Sequence, residues 1–271
     1  MHLLFAINQK HIPLLYSCLN SIAIKGGEDN YDIHLLNSDF DQRVRDEIIK
    51  TIDKRFHCHF VNVPKDLFAG FPETRRYPVQ IYYRLAAPFL LSEDIDRVLY
   101  LDVDTIIINP LASLYNLDFE DKWFVACSHT DQILNKINQI RLQTEKEVPY
   151  VNTGVLLMNL GKLRKNLNLN DIRNFPNEYQ LPLFLPDQDI LTALYGDKVK
   201  IADELLYNIS DRILFMNNAK MHSEKINVDW VRKNSVIIHY FGKNKPWNKD
   251  YFGLLDVFYH EYGLPIDNSK Q

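Results

Sequence analysis

Two carboxylates sit one residue apart in the run Arg97-Val98-Leu99-Tyr100-Leu101-Asp102-Val103-Asp104-Thr105-Ile106-Ile107-Ile108. The apolar, branched residues around them read as a strand buried on both faces. A buried anion needs a cation or donors to compensate its lost hydration. Side chains at i and i+2 of a strand share one side, so Asp102 and Asp104 would face a common point. They repel there unless a cation lies between them, and divalent ions that bridge phosphates are held by carboxylates in this way. A strand end that merely solvates both aspartates is the plainer alternative. His239 closes a late apolar stretch and would add an imidazole, which favours Mn²⁺ over Mg²⁺. A histidine in that setting can equally be a satisfied core residue. Gly242 and Lys245 follow it, either as a turn and cation for a phosphate or as a solvated loop. Arg84 stands alone among Tyr, Leu and Ala at 82–87, where it pairs with a buried acid or faces an anion.

The elements that carry these groups follow from periodicity. Residues 2–7 read as a strand, and Ile12, Leu15, Tyr16, Leu19 and Ala23 as a helix stopped by Gly26-Gly27. A second strand at 31–36, a surface helix marked by Val44, Ile48 and Ile52, and a third strand at 60–63 come next. This alternation predicts a parallel sheet with helices on its faces. Phe71-Pro72 and Tyr77-Pro78 bracket a loop, and 79–91 is a helix that Pro88 bends or ends. The aspartates then fall at the carboxyl end of their strand, where open α/β sheets bind ligands.

Further strands are expected at 123–128, 150–160, 199–202, 205–209 and 235–240. Residues 130–147 read as a surface helix or a movable cover, and 161–180 as helix and loop. Residues 185–191 open a helix whose Asp187 and Asp189 could simply complement its dipole. Phe252, Leu255, Phe258, Tyr259 and Tyr262 mark a terminal amphipathic helix. No repeat or linker interrupts the chain, so a single domain over 1–271 is expected.

Length and charge exclude several classes. The chain has 271 residues and a formal charge of −4, which argues against a general nucleic-acid binder. No apolar stretch approaches the roughly 20 residues needed to cross a bilayer. The first residues lack a basic lead-in and a cleavage site, so no signal peptide is read. Cys18, Cys58 and Cys127 are widely spaced and read as buried thiols of a reducing, cytoplasmic setting. Asn208-Ile209-Ser210 matches a glycosylation acceptor by chance. There is no GxSxG, HExxH, GxxxxGK[ST] or GxGxxG. Phosphatases of the haloacid dehalogenase type also carry Asp-x-Asp. Their motif usually follows the first strand and has Thr or Val where this chain has Ile106.

Taken together, the motifs resemble those of the retaining glycosyltransferases of family 8. The resemblance runs in order through Tyr83-Arg84-Leu85, Leu99-Tyr100-Leu101-Asp102-Val103-Asp104 and Tyr150-Val151-Asn152-Thr153-Gly154-Val155-Leu156-Leu157-Met158-Asn159-Leu160. It continues through Pro186-Asp187-Gln188-Asp189-Ile190-Leu191 and His239-Tyr240-Phe241-Gly242-Lys243-Asn244-Lys245-Pro246-Trp247.

It implies an α/β GT-A fold with a Rossmann-like, mixed but mostly parallel sheet flanked by helices. Residues 1–110 would form mainly the nucleotide-binding half, 111–248 the donor and acceptor half, and 249–271 a C-terminal helix and tail. It implies that Asp102, Asp104 and His239 hold Mn²⁺, with Mg²⁺ as the alternative, against the diphosphate of a UDP-sugar. Val103 lies between these ligands in the same donor-binding set. Gly242 and Lys245 would contact the diphosphate. Arg84, Asn152, Asp187 and Gln188 would surround the donor sugar, and Thr153 belongs to the same donor-binding set. Gln188 would lie beneath the anomeric carbon, and because an amide is a poor nucleophile, front-face attack is favoured, with Asp187 orienting sugar hydroxyls.

Two departures from the family pattern stand out. The nucleoside position carries Ala6-Ile7-Asn8-Gln9-Lys10-His11, leaving Ala6, Asn8 and His11 for uracil and ribose. The position after Ser128 carries His129, with Asp131 two further on, where an aspartate is common. The tail 263–271 lacks a basic cluster, so no strong membrane anchor is expected, at most a peripheral place on the inner membrane surface. The expected partners are a UDP-hexose, with galactose or glucose as the sugar, and a glycan or glycoconjugate acceptor. A non-catalytic UDP-sugar-binding protein of the same fold is the alternative.

Overall fold

The structure, a computed structural model, describes all residues except 75–77, 130–131, 145, 179–182, 222–223 and 266–271. Tyr77, Asp131 and the tail from residue 266 therefore lie outside the described residues.

The first half alternates as expected. Strands β1 (His2–Ala6), β2 (Tyr31–Asn37) and β3 (Phe56–Asn62) run parallel. Strand β4 (Arg97–Leu101) returns to the other side of β1, also parallel. The connecting helices Ile12–Lys25 and Gln80–Leu90 cover opposite faces of this sheet. Alternation along β1 shows why both faces are apolar. Leu3 and Phe5 pack with Leu15, Leu19 and Ile22 of the first helix, while Leu4 packs with Tyr82, Leu85 and Ala86 of the second. Truncating such a fully buried leucine costs about 2–5 kcal/mol.

After β4 the chain departs from a single long strand. Residues 102–104 form a turn, and Thr105–Ile107 makes a separate short strand, β5. Strands β6 (Phe124–Ser128) and β7 (Val151–Asn159) extend the large sheet, β7 antiparallel to both β4 and β6. Strand β8 (Val199–Ala202) closes it parallel to β6, giving the order β3-β2-β1-β4-β7-β6-β8. Strand β9 (Ile237–His239) pairs antiparallel with β5 in a two-stranded sheet, placing His239 opposite Thr105.

Three other expectations are corrected. Residues 205–209 are not a strand: Glu204–Tyr207 is a helical turn, because the Asp203 carboxylate caps the N–H of Leu205 at 2.8 Å. The last helix spans only Asp256–Tyr262, and Phe252 lies outside it and exposed. The third strand begins at Phe56, ahead of the expected start at residue 60. Pro88 lies within its helix, and its carbonyl accepts from Arg164 Nε at 3.1 Å. Cys18 and Cys127 are buried, Cys58 is half-buried, and all three are free thiols. Among the described residues no helix is long and apolar enough to cross a membrane.

Candidate functional site

The sheet order reverses between β1 and β4, and ligands of open α/β sheets bind beyond the carboxyl ends of strands at such a point. A cavity of 1290 Å³ opens there. Every residue expected from the sequence to bind donor or metal lines it, from Ala6, Asn8 and His11 through Arg84, Val103, Asn152 and Thr153 to Gly242 and Lys245.

Asp102 and Asp104 converge by a different route from the expected one. They do not share the face of one strand but occupy the turn between β4 and β5, and the pairing of β5 with β9 brings His239 to them. His239 Nε2 lies 3.1 Å from Asp104 Oδ1 and 3.7 Å from Asp102 Oδ2. One ligand atom from each of the three lies within 4.8 Å of the others. Nε2 is buried yet makes no hydrogen bond despite its nearness to these oxygens. An orphaned imidazole nitrogen facing two carboxylates is the donor set that a divalent transition metal takes, so the residues present fit one.

Charge at this turn is compensated from both ends of the chain. Lys245 Nζ bonds to Asp104 Oδ2 and, at 2.6 Å, to the Tyr240 carbonyl. Burial alone would raise the Asp104 carboxyl, but Lys245 beside it, with His239 when that ring is charged, pulls it well below the usual carboxylate range. Asp102 accepts from Arg84 at 3.0 Å and from the Tyr100 hydroxyl at 2.7 Å, and its own N–H donates to the Gly154 carbonyl at 2.7 Å.

Arg84 resolves the choice that its sequence left open, since it pairs with buried acids and also lines the cavity. Besides Asp102 it donates to the Thr153 carbonyl at 2.8 Å and lies 3.4 Å from Asp187 Oδ2. Its guanidinium lies 4.1 Å from the Tyr100 ring centroid. Burial alone would lower its pKa, but Asp102, Tyr100 and Asp187 hold it above the ordinary value.

Asp187 does not cap its helix, Pro186–Tyr195: the N-cap is Leu185, whose N–H donates to Asp189 Oδ2 at 3.4 Å. Asp187 Oδ2 instead accepts from the Thr153 hydroxyl at 2.6 Å. Burial raises its pKa, opposed by Arg84 and Thr153. Gln188 Oε1 accepts from Asn152 Nδ2 at 3.3 Å. Asp189 is fully buried and turns away from the cavity to a bidentate pair with Arg141, at 2.7 and 2.9 Å. It also accepts from the Tyr150 hydroxyl at 2.7 Å and the Phe184 N–H at 2.7 Å. Arg141 belongs to the helix Gln132–Leu142, so this pair ties the expected cover to the helix of Asp187 and Gln188.

The nucleoside side is more committed than its sequence indicated. Asn8 Oδ1 caps the turn Gln9–His11 by accepting the Lys10 N–H at 3.1 Å, and it also takes His11 Nδ1 at 2.8 Å. Asn8 therefore offers a ligand chiefly its amide N–H groups. Burial lowers the pKa of His11, opposed by Asp104 and Asp102. Gly242 has φ +87°, a backbone conformation that glycine alone adopts without strain, and nothing lies within 4 Å of where its side chain would be. Its peptide is open to the cavity.

Three residues at this site had no functional role in the sequence reading. Tyr100 appeared only as an apolar strand residue, yet its hydroxyl braces Asp102. Gly154 is the close-packed floor of the site. Asn208 drew notice only as a glycosylation match, and it is fully buried, which leaves the folded chain no exposed amide to modify. His129 stacks on Phe241 at 5.0 Å and lines the cavity with its Nε2 buried and unpartnered. Burial, with His239 and Arg212 nearby, pushes its pKa down to about 3, so it is neutral.

A family model described as glycosyl transferase family 8 matches residues 2–251. A putative glycosyltransferase of Haemophilus influenzae is 28% identical over 92% of this chain and 73% of its own length. A lipopolysaccharide 1,2-glucosyltransferase of Escherichia coli is 28% identical over 66% of this chain and 52% of its own length, so the chain spans about half of that relative. Among solved structures, an active-site mutant of LgtC superposes with a TM-score of 0.81 at 25% identity, covering 99% of this chain and 98% of that one. The galactosyltransferase LgtC in complex with donor and acceptor sugar analogues superposes with a TM-score of 0.80 at 24% identity over the same shares. The mixed seven-stranded sheet flanked by helices is the GT-A fold of these neighbours.

Proposed function

The chain belongs to glycosyl transferase family 8, and we propose that it is a retaining hexosyltransferase moving galactose or glucose from a UDP-sugar to a glycan hydroxyl with Mn²⁺. One observation carries the reading. Two carboxylates, an orphaned imidazole nitrogen and a lysine, drawn from distant parts of the chain, meet in one cavity with Arg84, Asn152, Asp187 and Gln188.

Asp102, Asp104 and His239 would hold Mn²⁺, which when bound would supply positive charge against the departing diphosphate. Lys245 exchanges its bond to Asp104 for one to the diphosphate, joined by the open backbone of Gly242. Asp187, fixed by Arg84 and Thr153, orients the sugar hydroxyls. Gln188 lies beneath the anomeric carbon, which passes through an oxocarbenium-like state. An amide is a poor nucleophile, so the acceptor hydroxyl attacks from the face of the leaving group. The anomeric C–O bond to phosphate breaks, the bond to the acceptor oxygen forms, and a phosphate oxygen of UDP takes the acceptor's proton. The acceptor is a glycan or glycoconjugate reached from the cytoplasmic side.

The test is UDP release from a panel of UDP-sugars, with and without oligosaccharide acceptors. Turnover of a hexose donor is expected, abolished by EDTA and restored by Mn²⁺. Tight UDP binding without turnover of any donor would favour a non-catalytic UDP-sugar binder. A covalent sugar on Asp187 or Gln188, seen by intact mass, would overturn front-face attack.

A further inference from the structure

Asn208 sits fully buried beside His239, in a chain of hydrogen bonds whose polarity can be read from one end. The backbone N–H of Gly154 can only donate, and it donates to Asn152 Oδ1 at 3.0 Å. The group of Asn208 that meets the same oxygen at 3.0 Å is therefore its amide nitrogen. Its carbonyl oxygen is left to face His239 Nδ1 at 2.9 Å, and a carbonyl oxygen only accepts. His239 thus carries a proton on Nδ1, so in the neutral ring the Nε2 aimed at Asp102 and Asp104 is the nitrogen with the free lone pair.

We infer that Asn208 is a positioning residue that holds the His239 imidazole with a proton on Nδ1, so that His239 offers Nε2 to the divalent cation. A free neutral imidazole divides its proton between the two nitrogens, and an Nε2–H at residue 239 would present a proton to the cation instead of a lone pair. Histidine ligands are generally held by an acceptor on the other ring nitrogen, and losing it costs about 10–100-fold in metal affinity. Here that acceptor is set, through two amides, by one backbone N–H. The cation arm rests on the Mn²⁺ reading above; the tautomer arm does not.

The experiment is a two-bond ¹H–¹⁵N spectrum of the full chain labelled at histidine, assigned with His239→Gln, together with an EPR titration of Mn²⁺ in the presence of UDP. Nδ1–H is expected at His239. Asn208→Leu should populate Nε2–H at His239 and weaken Mn²⁺ by about 10–100-fold. Asn208→Asp, which keeps an acceptor toward Nδ1, should retain the tautomer and recover much of the affinity. An Nε2–H His239 in the unaltered protein overturns the inference even if neither variant folds. Unchanged Mn²⁺ affinity in a folded Asn208→Leu overturns it as well. A protein with Nδ1–H at His239 that binds no Mn²⁺ instead overturns the metal reading and leaves the tautomer lock standing.

Discussion

The place a side chain at Gly154 would occupy is already taken by His239: a Cβ there would lie 2.3 Å from the imidazole Cε1 and 2.5 Å from Asp102 Oδ2. Neither neighbour can yield without leaving the cluster, because His239 is pinned by Asn208 and Asp102 by Arg84 and Tyr100. Gly154→Ala should cost about 1–3 kcal/mol of stability, the usual penalty of overpacking. It should also weaken Mn²⁺ binding more than tenfold, measured by EPR titration beside a urea melt. Native metal affinity in this variant would show that the cluster tolerates displacement.

Asp104→Ala removes one proposed ligand and leaves Lys245 and His239 facing each other without an anion. The fold should survive, since the turn is braced through Asp102 and the β5–β9 pairing. Calorimetric titration with UDP should give the same affinity with Mn²⁺ as with EDTA. Mn²⁺-dependent binding equal to that of the unaltered protein would remove Asp104 from the metal site.

Arg141→Ala should strike both stability and turnover. Asp189 is fully buried, and breaking a buried ion pair from one side costs about 3–5 kcal/mol. Tyr150 and the Phe184 N–H still bond to Asp189, so the lower end of that range is expected. Because the pair joins the Gln132–Leu142 helix to the helix of Asp187 and Gln188, kcat should fall at temperatures where the protein remains folded. A loss of stability with unchanged kcat would reduce the pair to a structural clamp.

Acid should destabilise the far end of the sheet. His34 is buried against His2 and stacked on His59, and burial with these two neighbours pushes its pKa down to about 4 from 6.5. The unfolded chain takes up a proton near 6.5 that the folded chain refuses until about 4. Stability therefore falls as pH drops through that window, by about 3 kcal/mol in full. Urea melts at pH 7.5 and 4.5 should show this loss, and His34→Gln should remove most of it. An equal acid loss in that variant would place the titrating group elsewhere.

Much of the fold was legible along the chain, because local periodicity and both-face burial leave direct marks in a parallel half. The β1–β3 strands and their helices follow from apolar spacing alone. The short pieces were harder. Residues 97–108 look like one strand because every flanking residue is apolar, yet 102–104 turn so that β4 and β5 join different sheets. Residues 205–209 carry strand-like residues, but a single Asp203 cap diverts them into a helical turn.

The site divides in the same way. Residue types in sequence identified the anionic turn, the histidine, the lysine and the lone arginine, since each is costly in apolar surroundings and so calls for a partner. Only the tertiary structure decided which partners they take. The pairing of β5 with β9 sets His239 against Asp102 and Asp104, and Arg84 is shared between Asp102 and Asp187. Asn208 looks like a chance surface signal in sequence, because its role depends on Asn152, Gly154 and His239, all distant from it along the chain. The polarity of a hydrogen-bond network is a property of its closure in space, and here a single backbone N–H at Gly154 determines which nitrogen of His239 is bare.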